Sequence, residues 1–293
     1  MPFMECSILS TDHAVDDIEN VLFGAGAVSV TLEDAADNPI LEPLPGATPL
    51  WPRVIVKGLY VAPCDVTSIH AAIHRGLESA VDIQWRAVAD KAWEREWLKD
   101  FKPMPFGERL WVCPGGQPPP IAHNPNHIIW LDPGLAFGTG THATTALCLE
   151  YLSEHPPEGQ TFIDVGCGSG ILSIAALRLG AAHGHAMDID PQALIATEEN
   201  AQRNGVRALL TLGNEQSGWD RQYDWVLANI LAEPLIALAG QIAAIAKPNA
   251  TVLLSGLLDS QTEQVLNAYA PFFTMDPPML KDGWAALTGR RRS

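Results

Sequence analysis

The chain is short of the features that would place it in a membrane, an oxidising compartment or a nucleic-acid complex. Its five cysteines, at 6, 64, 113, 148 and 167, form no C-x-x-C pair. Neither a zinc site nor a disulfide framework is therefore expected, and a reducing cytoplasm is the simple reading. No apolar run reaches the length of a membrane span; the nearest, around 235–246, is interrupted by Gly240 and Gln241. The opening residues, MPFMECSILS, lack the basic flank and apolar core of a secretion signal, so no membrane association is expected. Cations are scarce: 18 Lys and Arg stand against 34 Asp and Glu, a net charge of −16. Such a chain repels phosphate backbones and draws cationic partners, so a basic substrate is expected and direct nucleic-acid binding is not. Nothing demands a second copy, and a monomer is expected. What is present, 47% hydrophobic and 18% charged residues over 293 positions, describes a globular protein long enough for two domains.

The acidity is uneven. Residues 1–90 hold four Lys or Arg and thirteen Asp or Glu, so their net charge is 4 − 13 = −9. Their pattern reads strand (3–9), helix (12–24), strand (27–33), a polar Pro-rich gap, strand (53–61), helix (65–79) and strand (81–88). Asp12 and Asp65 are candidate N-caps, with Gly24 and Gly26 as a stop. The order β-α-β-β-α-β is the ferredoxin-like arrangement, a binding platform that names no function by itself. In DKAWEREWLKDF (90–101), Trp93 and Trp97 share a helical face and Pro103 ends the helix. The expected organisation is a ferredoxin-like α+β domain over 1–89, a linker helix over 90–103 and an α/β domain over 104–293.

The α/β domain is organised around residues 161–190, TFIDVGCGSGILSIAALRLGAAHGHAMDID. A short apolar run precedes Gly166, Gly168 and Gly170. An apolar helix pattern runs from Ile171 to Leu179, and a second strand ends at Asp188. This is one βαβ unit. The glycines admit a close backbone approach, and an acid at the end of the second strand sits where nucleotide-binding folds hold ribose hydroxyls. The dinucleotide fingerprint G-x-G-x-x-G/A is broken, because Ile171 stands at its last position. A nicotinamide or flavin dinucleotide is therefore disfavoured, and a ligand without phosphates suits the turn better. DVGCGSG resembles the first motif of class I S-adenosylmethionine-dependent methyltransferases, and Asp188 then matches the acid that such enzymes place on the adenosine ribose.

The remaining pattern alternates strand and helix, which predicts a mostly parallel sheet covered on both faces. A strand is expected at 106–113 and another ending at Leu131. A glycine-rich loop follows from Asp132 to Thr141. The next helix has Thr141 as its candidate N-cap and Thr144 and Thr145 in its first turn. A helix N-terminus suits a carboxylate, which the proposed cofactor carries on its methionine part. Helix 191–204, strand 208–212, strand 223–230, helix 231–246, strand 250–256 and helix 259–270 come next. Two final strands, 272–276 and 284–290, have no helix between them and should form an antiparallel hairpin.

Ligands in such sheets lie beyond the carboxyl ends of the strands, which is where Asp164–Gly166, Asp188 and Asn229 fall. Methyl transfer is an in-line displacement that needs a neutral, oriented nucleophile. The Asn229 amide oxygen can accept a hydrogen bond from an amine and aim its lone pair. Class I amine methyltransferases often carry N-P-P-Y at this point. Here the loop reads Asn229-Ile230-Leu231-Ala232, which argues against a glutamine or adenine amide as substrate. His142 could take a proton from an incoming ammonium, or could serve as a loop residue that satisfies backbone groups.

Taken together, LDPGLAFGTGTHATT (131–145), DVGCGSGILSIAALRLGA (164–181), DIDPQALIATEENAQRNG (188–205) and ANILAEPL (228–235) resemble one family. It is the bacterial PrmA family, methyltransferases of large-subunit ribosomal protein eleven. WLKDFKPMPFGERLWVCP (97–114) is similar to its linker and the start of its catalytic domain. The likeness is close over roughly the last two hundred residues and rests on layout over the first ninety. It implies a seven-stranded Rossmann-like sheet with a terminal antiparallel hairpin. It also implies S-adenosylmethionine as cofactor, with contacts from Thr145, Gly166, Asp188 and Asn229, beside the turn residue Gly168. The implied activity is transfer of several methyl groups to lysine ε-amines and the N-terminal α-amine of that ribosomal protein, taken free before assembly. The acidic first domain would then recognise the basic substrate. Three alternatives stand beside this reading: a methyltransferase of another protein or a small amine, a non-catalytic module that keeps the cofactor turn, and a dehydrogenase.

Overall fold

The structure, a computed structural model, describes residues 2–11, 15–36, 49–77, 81–88, 102–121, 123–131 and 140–293. The chain divides into two compact units, Met1–Glu96 and Trp97–Ser293. Most of the expected linker helix, with Trp93 and Trp97, lies outside the described residues, as do Asp12 and the loop 132–139.

The first unit runs β1 (Phe3–Thr11), α1 (Val15–Gly24), β2 (Ser29–Asp34), β3 (Arg53–Val61), α2 (Val66–Leu77) and β4 (Ile83–Val88). Its four strands form a sheet in the order β2-β3-β1-β4, with every pair antiparallel. Alternate residues Cys6, Ile8, Val54, Val56 and Tyr60 pack with Ile18 and Leu22 of α1 and Ile73 of α2. Asp65 caps α2 as expected, accepting from the Thr67 and Ser68 N–H groups at 3.1 and 3.2 Å. On the other sheet face, Arg86 pairs with Glu5 at 2.7 Å and Lys57 pairs with Glu33.

The second unit opens with a small sheet, β5 (Met104–Phe106), β6 (Leu110–Cys113) and β7 (Ile128–Trp130), in that order. The single strand expected over 106–113 is instead a hairpin, turned through Gly107 at φ +58°. A larger sheet carries β8 (Thr161–Val165), β9 (His183–Met187), β10 (Leu210–Gly213), β11 (Tyr223–Asn229), β12 (Ala246–Leu258), β13 (Phe273–Met275), β14 (Met279–Lys281) and β15 (Trp284–Arg291). Its order is β10-β9-β8-β11-β12-β15-β13, with β14 also paired to β15. The first five strands are parallel, and β15 is antiparallel to β12, β13 and β14. The sheet thus has eight strands rather than the expected seven, because β14 was not foreseen.

The period-two alternation of the strands feeds two cores. Phe162, Trp225, Leu227 and Leu253 pack with α3 (Ala143–Glu154), α4 (Ile171–Arg178) and α5 (Pro191–Arg203) on one face. Ile163, Val226, Val252 and Leu254 pack on the other face with α6 (Ala232–Ile245) and α7 (Thr262–Tyr269). The carboxyl ends of β8, β9 and β11 lie side by side, which assembles the site. Among the described residues, no helix is long and apolar enough to cross a membrane.

Candidate active site

The glycine turn between β8 and α4 is held by the backbone of its neighbour strand. The N–H groups of Gly166 and Cys167 donate to the Met187 carbonyl at 2.9 and 3.0 Å. The next N–H, on Gly168, donates to the Asp188 carboxylate at 2.9 Å. The other Asp188 oxygen accepts from the Asp190 N–H at 3.0 Å. One lone pair on each oxygen is left over, and Asp188 is half exposed, so the carboxylate can still receive two hydroxyls. The turn needs glycine for a stated reason: Gly166, Gly168 and Gly170 have φ of +75°, +55° and +77°. Beneath the turn, Asp164 is 1% exposed and accepts from the Ser173 hydroxyl and N–H at 2.7 and 3.1 Å. Burial pushes its carboxyl up to about 6.

Asn229 ends β11 beside this turn. Its Nδ2 donates to the Thr145 Oγ1 at 3.3 Å, in the first turn of α3. The Oδ1 is an acceptor that is buried and has no hydrogen-bond partner among the described residues. The next residue, Ile230, fits against two glycines. A Cβ on Gly166 would stand 2.3 Å from the Ile230 Cγ2, and one on Gly256 would stand 2.3 Å from the Ile230 carbonyl. Gly256 has φ +88° and sits in a bulge of β12, where the chain draws close to Asn229–Ile230. Contacts therefore run without a break from Thr145 through Asn229 and Ile230 to Gly166, and through the turn to Gly168 and Asp188.

His142 lies at the same corner, at the start of α3. It is the N-cap of α3, in place of the expected Thr141. Its Nδ1 accepts from the Thr144 N–H at 3.4 Å and lies 2.7 Å from the Thr144 hydroxyl. Its ring stands edge-on to Trp284, with centroids 4.6 Å apart. Burial lowers its pKa, so the neutral, acceptor form that the cap requires is favoured. Thr141 failed as the expected cap because histidine is not a usual N-cap, and the pattern pointed to the nearer hydroxyl.

These residues fit S-adenosylmethionine. A half-exposed carboxylate suits ribose hydroxyls, a turn with no helix-facing glycine at position 171 suits a ligand without pyrophosphate, and a buried acceptor without a partner among the described residues lies beside the turn. Among the described residues no group of His, Cys, Asp or Glu could hold a metal ion.

A family model described as ribosomal protein L11 methyltransferase (PrmA) matches residues 2–292. The chain belongs to that family. It is 48% identical to the ribosomal protein L11 methyltransferase of Sodalis glossinidius over the full length of both chains. It is 45% identical to that of Hahella chejuensis, covering 99% of each. Among solved structures, the ribosomal protein L11 methylase of Lactobacillus delbrueckii subsp. bulgaricus is 33% identical, with a TM-score of 0.60. That likeness covers 66% of this chain and all of the other. The large mixed α/β sheet is thus shared with a methylase of the family.

Several residues of the corner escaped the sequence pattern. Gly256 left one legible mark, a lone glycine inside the apolar strand LLSGLL. Thr197 and Asn200 of α5 reach the turn as well. The Thr197 hydroxyl donates to the Gly168 carbonyl at 3.0 Å, and the Asn200 Nδ2 donates to the Ser169 carbonyl at 2.9 Å. A search for apolar periodicity passes over both.

Proposed function

We propose that this chain transfers methyl groups from S-adenosylmethionine to amines of ribosomal protein L11, with Asn229 as the residue that orients the amine. The reading extends to lysine ε-amines and the N-terminal α-amine. The observation that carries it is the buried Asn229 Oδ1, which has no partner among the described residues, beside a Nδ2 tied to Thr145. A buried unmade acceptor is costly, by about 1–3 kcal/mol, and an incoming amine N–H relieves it.

The bound cofactor supplies an electrophilic methyl on a sulfonium sulfur. Gly166 and Gly168 would admit the ligand close to the turn, Asp188 would take the ribose hydroxyls, and the N-terminus of α3, with Thr145 in its first turn, would hold the methionine carboxylate. Asn229 accepts one N–H of the neutral amine and turns its lone pair toward the methyl, which is an orientation effect. His142 fixes the start of α3 and so the place of Thr145; its Nδ1 lone pair is engaged there and is not the proton acceptor.

The first unit, as a ferredoxin-like platform over 1–89, recognises the substrate. Three of its four Lys or Arg (Arg53, Lys57 and Arg86) share one sheet face, where Glu33 and Glu5 pair with two of them. Asp16 and Asp17 of α1 remain exposed on the opposite side, where a basic protein would find them. The seven-stranded reading of the larger sheet counts β13 and β14 as one interrupted edge strand. A single copy would act in the cytoplasm on the free ribosomal protein, without binding RNA itself.

The test mixes the protein with methyl-labelled S-adenosylmethionine and unmethylated ribosomal proteins, free and assembled, and locates label by mass spectrometry. Label on lysine and α-amines of L11, lost in Asn229→Ala, is the expected result. Label on a different basic protein would keep the chemistry and replace the substrate.

A further inference from the structure

Helix α5 carries an inward row of polar residues that is out of place on a core-facing helix. Thr197, Asn200 and Asn204, the last being its C-cap, are spaced by three and four and so share one side. Thr197 is fully buried and Asn204 is 3% exposed. Leucine or alanine would pack such a face without any polar group to satisfy. Instead each side chain bonds to the backbone of a segment that leads to the site. The Thr197 hydroxyl holds the Gly168 carbonyl, whose own residue's N–H is held by Asp188. One residue of the turn is therefore fixed at both its amide and its carbonyl. The Asn200 Nδ2 holds the next carbonyl, on Ser169. Packing follows the same line: a Cβ on Gly170 would stand 2.7 Å from the Thr197 Cγ2.

The other end of the row holds a different strand. The Asn204 Oδ1 accepts from the Trp130 N–H at 2.8 Å, and its Nδ2 donates to the Trp130 carbonyl at 2.8 Å. This doubled bond imitates a strand partner for the end of β7. From β7 the chain passes through Leu131 toward Gly140, His142 and the N-terminus of α3. The same face of one helix thus grips the glycine turn at one end and, at the other, the strand that leads to the Thr145–Asn229 corner.

We infer that Thr197, Asn200 and Asn204 are positioning residues for cofactor binding. Thr197 and Asn200 set the turn against Asp188, and Asn204 anchors the same helix to the end of β7. The inference rests on the assignment of the turn and Asp188 to S-adenosylmethionine. No chemical step passes through these side chains; they act through the backbone groups that they hold.

The test measures S-adenosylmethionine affinity by isothermal titration calorimetry on the full chain, with steady-state methyl transfer and thermal melting alongside. Thr197→Val keeps the shape and removes the hydroxyl, leaving the Gly168 carbonyl unpaired. Its dissociation constant for the cofactor should rise roughly tenfold, and kcat at saturating cofactor should stay within about twofold of wild type. Thr197→Ser should restore most of the affinity. Asn204→Asp keeps the acceptor for the Trp130 N–H but sets a carboxylate against the Trp130 carbonyl, and should raise the cofactor KM in the same direction. If Thr197→Val does not fold, Asn200→Ala, at a half-exposed position, carries the same expectation. Asp188→Ala serves as the reference. Should it lose affinity while the α5 variants bind as wild type with only a lowered melting temperature, the positioning role is overturned. Should Asp188→Ala itself bind normally, the site assignment fails first.

Discussion

Around Asp188 the polar groups of the site are tied to one another, whereas around Asn229 one is left open. Successive N–H groups at 166, 167 and 168 have acceptors, both Asp188 oxygens accept, and the carbonyls of Gly168 and Ser169 are held from α5. At the other corner, among the described residues, the Asn229 side chain makes one bond with its nitrogen and none with its oxygen. A saturated network resists motion and presents one shape; an open acceptor in a buried place is an invitation to a donor. On the proposed function, the difference separates the half of the site that would fit the cofactor from the half that would accept the substrate amine.

Breaking the saturated half should have the largest effect. In Gly166→Ala the new methyl meets Ile230 at 2.3 Å, on a residue at φ +75°. Strain and overpacking together predict a loss of about 2–5 kcal/mol of stability. Because Ile230 adjoins Asn229, both cofactor binding and transfer should go together. Urea unfolding with calorimetric titration measures the two losses on one sample. A variant that unfolds like wild type would show that Ile230 yields easily and that the corner is not tightly packed.

Asn229→Ala should separate what Gly166→Ala joins. It removes the open acceptor from the half-buried end of β11 and leaves the turn's own bonds in place. Methyl transfer should fall about 100-fold or more, the scale expected when a reacting group loses its orientation. The melting temperature should move little, since the lost bond to Thr145 is long. Single-turnover label transfer at saturating cofactor reads the effect. Equal losses of kcat and stability would assign Asn229 to the scaffold instead.

The saturated half hides one expensive group, and pH can expose it. Asp164 is buried and its carboxyl is pushed up to about 6 from 3.8, first by desolvation. Its folded form holds a proton more tightly than its unfolded form. The stability it contributes is therefore full below 3.8 and is lost as pH rises through about 6. Asp164→Asn keeps an acceptor for Ser173 without the charge. Its stability relative to wild type should be greatest near neutrality and should shrink by about 2 kcal/mol as pH falls to 4. Urea midpoints across that range test this, and a constant difference would mean that the carboxyl titrates normally in its pocket.

The legible parts of this site were those whose residue type is dictated by backbone geometry. Three glycines at positive φ and an acid at a strand end are visible because few other residues serve there. The strand-end position of Asn229 followed from the alternation of strands and helices. The sequence pattern shows the hairpin at Gly107 as one strand because Leu110 to Cys113 form an apolar run that masks the turn before it. β14 leaves no mark in the pattern because it is three residues long and follows Asp276-Pro277-Pro278. The polar row of α5 was invisible for a different reason. Its partners are backbone carbonyls and a strand end remote in sequence, and single-helix periodicity carries no information about them.

The smallest effect lies at the hinge between the two halves, the His142 cap. As a base, the residue would need its lone pair for a substrate proton; as a cap, that lone pair already receives the Thr144 N–H. His142→Asn distinguishes the two, because asparagine caps helices at least as well and does not titrate in this range. Transfer at pH 8 should stay within about threefold of wild type, where loss of a general base would remove 100-fold or more. Stability should respond only through pH. Burial lowers the His142 pKa from 6.5, so its contribution is present above 6.5 and is lost as pH falls through the folded value. Burial lowers His127 and His185 as well, so the substitution should make the acid limb of the stability curve shallower without abolishing it. Melting temperatures from pH 8 to 5, set beside transfer rates, decide the case: unchanged transfer with a shallower acid limb leaves His142 as the fixed end of α3, and lost transfer with an unchanged limb makes it the proton acceptor.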